Sequence, residues 1–395
     1  MTENDNEKIH FQAIIDALLN DDADFPEIYL TSFSDIEYQD FAQLLSIWNQ
    51  ITPERKVRLF ENLEILNESD TLVDLNQIAT LGITDPSAAV RASGIRMLWD
   101  YENEKHIPLL IELLKNDIDL SVRAHAAAAL GKFVYLGELE EINLDILNNI
   151  VKILLEVIRS SENELVRQKA LESLGFSSHE DVHSIINNAF QSNDKGWLVS
   201  SLVAMGRSAH EVWAPQVLSM LVHPEFRIQR EAIRAAGEME LKSARNLLLK
   251  FIKESEPDED IWTESVWALS KIGGEKIQVV FEKLLKNADT EEEEDFLREA
   301  IDNLYLTNGI ARELDMMGLS EADLQNLREF SVDDEDIDLD EEEEGSTWIA
   351  DLEDALEEDL DEDFYDNDFA DGEEVDYDND DDVEEDSESD DEERF

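Results

Sequence analysis

An all-α solenoid of paired helices, followed by an acidic C-terminal tail, is the fold class this sequence predicts, and three observations predict it. One turn running into one small-faced helix, clearest in residues 119–132 (D-L-S-V-R-A-H-A-A-A-A-L-G-K), recurs in seven copies. Each of the first six copies is followed by a second apolar-periodic stretch. From Ser331 onward the composition changes: the last 65 residues hold 37 Asp or Glu against one basic residue, Arg394.

The N-terminal 80 residues read as helices that cap the solenoid. Residues 9–19 are amphipathic and short. Ser34 with Glu37 forms a capping-box pattern that opens a helix through Trp48. Thr52 before Pro53 marks another start, proline being suited to the first helical position. Val57, Phe60, Leu63 and Leu66 give that helix its apolar face. The role of a cap is to cover the exposed end of a stacked array.

The repeats occupy residues 81–330. Each small-faced helix opens on an apolar anchor: Val90, Val122, Val166, Trp197, Ile228, Ile261 and Phe296. Eight residues on, near two helical turns, stand Leu98, Leu130, Leu174, Met205, Ala236, Leu269 and Leu304, so both residues share a face with the alanines between them. Small residues there let neighbouring helices approach closely. Gly131, Gly175, Gly206 and Gly237 follow, where a helix ending in a left-handed residue uses glycine. The second helices are expected over residues 107–114, 146–158, 182–190, 213–221, 244–252 and 277–285. No such unit buries its apolar face alone, so a fixed period of this length implies stacking. The spacing from Val122 to Val166 is 44 where the others run from 31 to 35, and the surplus, residues 134–143, reads as a loop or a short extra turn.

These units resemble HEAT repeats, in particular the short variety named after phycobilisome lyases, with the pattern D-x-x-x-V-R-x-x-A-x-x-A-L-G. Asp119, Val122, Arg123, Ala126, Ala129, Leu130 and Gly131 carry the resemblance, with Val90-Arg91 and Val166-Arg167 matching well and later copies more loosely. It covers about residues 80–306. The resemblance implies an Asp–Arg ladder between units, open to Asp85, Arg91, Asp119, Arg123 and Arg167. With Leu198 and Trp262 in the arginine's place, the ladder is expected to lapse in the second half.

In such folds the concave face is the usual binding surface. Positions two, three and six past the anchors place Arg96, His125, Lys169, Arg230, Arg234 and Trp267 on it, some of them open to pairing with Glu231 and Glu264. In the tail, at residues 331–395, net charge −36 repels itself and predicts disorder. One island differs: Trp348, Ile349, Leu352, Leu356 and Leu360 recur at helical spacing within residues 346–360 and suit a helix that docks into a groove, on this chain or on a partner.

Several chemistries are disfavoured. His179-Glu180-Asp181-Val182-His183 spells H-E-x-x-H, but it sits at a helix start, and no third ligand follows at the spacing of zinc proteases. The resemblance extends to deoxyhypusine hydroxylases, whose iron-binding His-Glu pairs fall two and three residues past the anchor. Ala92-Ser93, Ala124-His125, Gln168-Lys169, Val199-Ser200, Arg230-Glu231 and Thr263-Glu264 stand there instead. It extends also to bilin lyases, for which such repeats alone are weak evidence. With no cysteine, disulfides and thiolate metal sites are excluded. Net charge −67, of which residues 1–330 carry −31, disfavours nucleic acid. No apolar run reaches membrane-spanning length and no secretory signal opens the chain, so a cytoplasmic protein is expected.

The expectation is a non-catalytic scaffold or adaptor without a cofactor. It holds a protein partner on the concave face, and its tail recruits a basic partner, masks the groove or confers solubility. The alternative is an enzyme of the lyase or hydroxylase group, a bilin lyase or a metal-dependent oxidoreductase.

Overall fold

The computed structural model describes residues 10–307 apart from 193, 254–258 and 289. The chain divides into two units, Met1–Glu335 and Asp336–Phe395, and the second lies wholly outside the described residues. The acidic tail and its expected docking helix at Trp348, Ile349, Leu352, Leu356 and Leu360 therefore lie outside them too.

Among the described residues the chain is all helical. It begins with α1 (Phe11–Leu18), a 3-10 segment (Glu27–Phe33), α2 (Tyr38–Ile47), α3 (Pro53–Ser69) and α4 (Asn76–Gly82). Helices then alternate: α5 (Ala88–Met97), α6 (His106–Asn116), α7 (Leu120–Glu138), α8 (Leu144–Arg159), α9 (Glu164–Leu174), α10 (Glu180–Phe190) and α11 (Lys195–Ser208). The series closes with α12 (Ala214–Met220), α13 (Phe226–Glu238), α14 (Arg245–Lys253), α15 (Glu259–Ile272), α16 (Glu275–Lys286) and α17 (Glu291–Thr307). The odd-numbered helices from α3 to α17 pack each on the next, and every even-numbered helix from α4 to α16 packs on the odd one that follows. This is the α-α solenoid of HEAT-like units.

The anchors organise the packing. Val90, Val122, Val166 and Ile228 are buried, as are Leu98, Leu130, Leu174, Met205, Ala236, Leu269 and Leu304. Each fully buried valine or leucine contributes about 1.5–3 kcal/mol relative to exposure. Helix starts follow their sequence signals: Thr52 accepts from the Arg55 amide, Asp119 from Ser121 and Val122, and Asp194 from Gly196 and Trp197.

Three expectations are corrected and one, the surplus before α8, is refined. The glycines after the anchors do not end helices in the left-handed region. Among the described residues only Gly273 and Gly274 are glycines with positive φ, at 71° and 126°. The anchor glycines are sites of close approach: a Cβ on Gly175 would stand 2.7 Å from the Ala204 Cα, and one on Gly237 2.8 Å from the Ala268 Cα. The surplus at residues 134–143 is half helix and half turn: α7 runs on to Glu138, and the chain turns at Glu140, whose φ is 63°. The Ser34–Glu37 capping box does not form. Ser34 instead accepts from the Asp74 amide at 2.9 Å, and α2 begins at Tyr38 without a side-chain cap. The buried face of α3 is rotated toward Lys56, Leu59, Phe60 and Leu63, leaving Val57 and Leu66 only partly covered.

The arginine ladder is present in altered register. Arg91 donates to both carboxylate oxygens of Asp117, at 2.7 and 2.8 Å, and Arg123 donates to Glu162 at 3.1 Å. Asp119 does not pair with an arginine, because its carboxylate is spent capping α7. Asp85 accepts from Trp48 and Lys56 instead, and Arg91 reaches its carbonyl oxygen. Burial works against the ionised Asp117, but the Arg91 hydrogen bonds and charge outweigh it and hold the carboxyl below the usual carboxylate range. Arg167 donates to the Ile158 carbonyl and lies 5.3 Å from the Trp197 ring centroid.

Candidate functional site

Residues three and six past each anchor share one face of every odd-numbered helix. On α5 they are Ser93 and Arg96, on α7 His125 and Ala128, on α9 Lys169 and Glu172. On α11 they are Ser200 and Val203, on α13 Glu231 and Arg234, on α15 Glu264 and Trp267. Successive helices set these side chains in rows, and charge pairing across the rows gives two polar networks.

The first spans α3 to α11. Arg96 donates to both oxygens of Glu64, from Nε at 2.6 Å and Nη2 at 2.8 Å. Its Nη1 lies 3.3 Å from His125 Nε2, while His125 Nδ1 lies 2.7 Å from the Ser121 carbonyl. The carbonyl fixes the proton on Nδ1, so Nε2 is the acceptor facing the guanidinium. Burial, assisted by the charges of Arg96 and Lys169, holds the His125 pKa below its ordinary value against the pull of the Ser121 carbonyl and Glu64. Next along, Lys169 donates to Glu172 Oε2 at 2.7 Å, and Ser200 donates to Oε1 at 2.8 Å. Glu172 is 6% exposed and fully partnered. Arg207 donates to the Glu172 carbonyl at 2.8 Å and stacks over Phe176 at 4.9 Å.

These helices enclose a groove of about 450 Å³, with Glu64, Arg96, Trp99, His125, Lys169 and Arg207 on its walls. Trp99, 37% exposed, offers an apolar surface beside the charges. Arg96, His125 and Lys169 are thus brought into one cleft.

The second network sits on α13 and α15. Glu231, buried to 6% exposure, accepts from Arg234 at 3.1 Å, and Arg234 also donates to Glu264. Arg230 lies 3.8 Å from Glu231 and 3.9 Å from Asp260. Burial pushes the Glu231 carboxyl above the usual range, against the pull of Arg234 and Arg230. Trp267 is half-buried with Lys271 Nζ 5.8 Å from its ring. Arg230, Arg234 and Trp267 do not line the α3–α11 groove.

Reading the sequence for cations and aromatics missed Glu64, Trp99, Glu172 and Arg207. Glu172 stands six past its anchor, as Arg96 does, so the register alone would have found it. Glu64 escapes that reading because α3 reads as part of the cap. The H-E-x-x-H sequence is split by the structure. His179 lies before α10 and caps it, its Nδ1 accepting from the Asp181 amide at 3.2 Å. His183 stacks on Trp213 at 4.6 Å and meets His210 edge-on at 5.1 Å. Among the described residues no group of three or more His, Asp or Glu side chains is placed to hold a metal ion. No helix among them is long and apolar enough to cross a membrane.

Comparison with known proteins matches residues 77–147 and 214–305 to the family model of HEAT repeats. Comparison with curated proteins found no match. Among solved structures, YibA of Escherichia coli aligns at 15% identity and TM-score 0.37, covering 71% of this chain and 97% of its own. The complex of CpcE and CpcF of phycocyanin lyase from Nostoc aligns at 18% and 0.38, covering 58% and 94%. Human deoxyhypusine hydroxylase aligns at 13% and 0.30, covering 74% and 96%.

Proposed function

We propose that this chain, whose residues 77–147 and 214–305 match the family model of HEAT repeats, works as a non-catalytic scaffold and that its α3–α11 groove is the seat of a protein partner. The observation that carries this reading is the groove itself, in which side chains from successive repeats converge on about 450 Å³. Its cations are already bridged: Arg96 by Glu64, Lys169 by Glu172. A bridged charge keeps spare hydrogen-bonding capacity while its desolvation is partly met within the fold, so a polar partner surface binds there at less cost than on a bare cationic stripe. Trp99 supplies the aromatic anchor that interface cores favour. The N-terminal helices serve as the end cap, with α3 contributing Glu64 to the site. The tail at residues 331–395 is assigned a recruiting or masking role.

The test compares proteins captured by the full-length chain with those captured by Trp99→Ala and Arg96→Ala. A carrier outside the groove, Lys152→Ala on α8, serves as control. A single partner lost by at least about tenfold with both groove variants and kept by the control supports the assignment, since truncating an interface anchor costs about 2 kcal/mol or more. Capture equal for all four chains rejects the groove. Deleting residues 331–395 then sorts the tail: gain of the same partner marks a mask, and its loss marks a recruiting element.

A further inference from the structure

The arginine ladder is interrupted at its far end. At the α5–α7 and α7–α9 interfaces the residue just past the anchor is arginine, and it reaches an acid four or five residues before the next anchor: Arg91 to Asp117, Arg123 to Glu162. At α9–α11 the corresponding Arg167 lies over the aromatic anchor of the next helix, Trp197. Where the arginine is lost at Leu198, the acid is lost as well, since His223 and Pro224 occupy those two positions. Two later interfaces keep an acid without the arginine: α13–α15, with Gln229 and Glu256 at those positions, and α15–α17. At the latter Trp262 stands in place of the arginine, yet Glu291 and Glu292 remain five and four residues before Phe296, and that anchor is aromatic as Trp197 is.

A cleft of about 540 Å³ opens there. Its walls are Trp262 and Phe296, with ring centroids 5.9 Å apart, and the carboxylates of Glu259, Glu292 and Glu293. Among the described residues no basic side chain lines it. Aromatic faces attract a guanidinium through the ring quadrupole, and carboxylates bind it by paired hydrogen bonds. The fold itself demonstrates both halves of that recognition, the carboxylate at Arg91–Asp117 and the aromatic face at Arg167–Trp197.

We propose that this cleft takes an arginine side chain from a basic segment of a protein partner, the guest guanidinium occupying the place that the ladder's own arginine holds in earlier repeats. Negative charge on both parts of the chain draws such a segment in. The site is separate from the α3–α11 groove and stands or falls without it.

The experiment titrates the full-length chain against a fluorescein-labelled heptapeptide bearing three arginines, and against its twin with citrulline in their place, by fluorescence anisotropy at about 0.1 M salt, where long-range steering is largely screened. Trp262→Arg rebuilds the resident arginine and fills the cleft. Leu198→Arg adds the same charge at the same register where no acid waits. Glu292→Gln removes one carboxylate with little change of shape. Trp262→Arg is expected to weaken binding at least about tenfold, as loss of a desolvated cation–π contact and its carboxylate implies. Leu198→Arg should stay within about twofold of the parent, as befits a lone surface charge, and Glu292→Gln should lose about threefold. The citrulline twin should bind as weakly as the arginine peptide binds Trp262→Arg. Equal affinity of Trp262→Arg and Leu198→Arg, with both melting as the parent does, overturns the proposal and assigns the peptide to acidic surface elsewhere. Equal affinity of the two peptides overturns it too.

Discussion

Lys56 and Asp85 meet at 2.7 Å where their side chains are only 6% and 1% exposed, and Trp48 Nε1 donates to the same carboxylate oxygen at 2.8 Å. The second oxygen accepts from the Ser87 amide, so the carboxylate has three donors and few contacts with water. Lys56 also lies 4.6 Å from the Trp48 ring centroid. A buried pair of this kind adds little net stability over an apolar pair of the same shape, but removing one member strands the other charge, at about 3–5 kcal/mol. Asp85→Ala is therefore expected to lower unfolding free energy in urea by that amount. Combining it with Lys56→Met should recover at least about half of the loss, because the uncompensated ammonium is gone. A double variant no more stable than Asp85→Ala would show that the carboxylate acts through the turn it caps at Ser87 and not through its charge. The same logic explains why Glu172 and Glu231 are tolerated at 6% exposure: each has cationic partners on its own helix.

Close approach of odd-numbered helices is the element-scale property on which the array depends, and Gly237 measures it. Alanine is the better helix former by about 1 kcal/mol. Against that, its Cβ would sit 2.8 Å from the Ala268 Cα and 2.9 Å from the Ala268 Cβ, main-chain and near-main-chain atoms that cannot swing aside. Relief requires α13 and α15 to part, and overpacking of this sort costs about 1–3 kcal/mol. Gly237→Ala should thus be destabilising by up to about 2 kcal/mol in urea melts, the clash outweighing the propensity. A stabilised variant would mean that the two helices slide freely. This glycine also shows what sequence reading reaches and where it stops. The anchors and the small stripe were legible because burial selects residue type at fixed offsets, and Val122, Ala126 and Leu130 are all fully buried. The glycines obey the same offsets, yet a glycine satisfies either a left-handed turn or a close contact. Only the position of Ala268 distinguishes the two. The site was legible by halves for a similar reason. Arg96, His125 and Lys169 stand at offsets that can be counted along the chain, and so does Glu172 on the helix of Lys169, whereas Glu64, the carboxylate partner of Arg96, comes from the neighbouring α3, 32 residues away. The ladder acid at α5–α7 is Asp117, two residues before the expected Asp119, because Asp119 has an equally good local use as a helix cap.

At the scale of the whole molecule the excess of negative charge opposes the stacking that the small residues permit. Residues 1–330 carry net −31, spread over repeats that must pack side by side. The ion pairs that offset it are largely exposed, Arg298–Glu294 and Lys195–Glu225 among them, and exposed pairs contribute about 0–1 kcal/mol each. The best-shielded, Arg91–Asp117 and Lys56–Asp85, are also those least sensitive to salt. Adding sodium chloride therefore removes more repulsion than attraction. Between 10 mM and 100 mM the screening length falls from about 30 Å to about 10 Å, the spacing of neighbouring helices. The full-length chain should gain about 1–2 kcal/mol over that range, a rise of a few degrees in melting temperature, before the effect levels off above about 300 mM. Circular dichroism melts at fixed pH across the salt series read this directly. Repeating the series on Arg91→Gln separates the contributions: the salt-dependent gain should persist, because it comes from the distributed charge, while the whole curve shifts down by the loss of one shielded ladder contact. A melting temperature that falls with added salt would instead make the surface ion pairs the dominant electrostatic term, and the net charge irrelevant to the stability of the array.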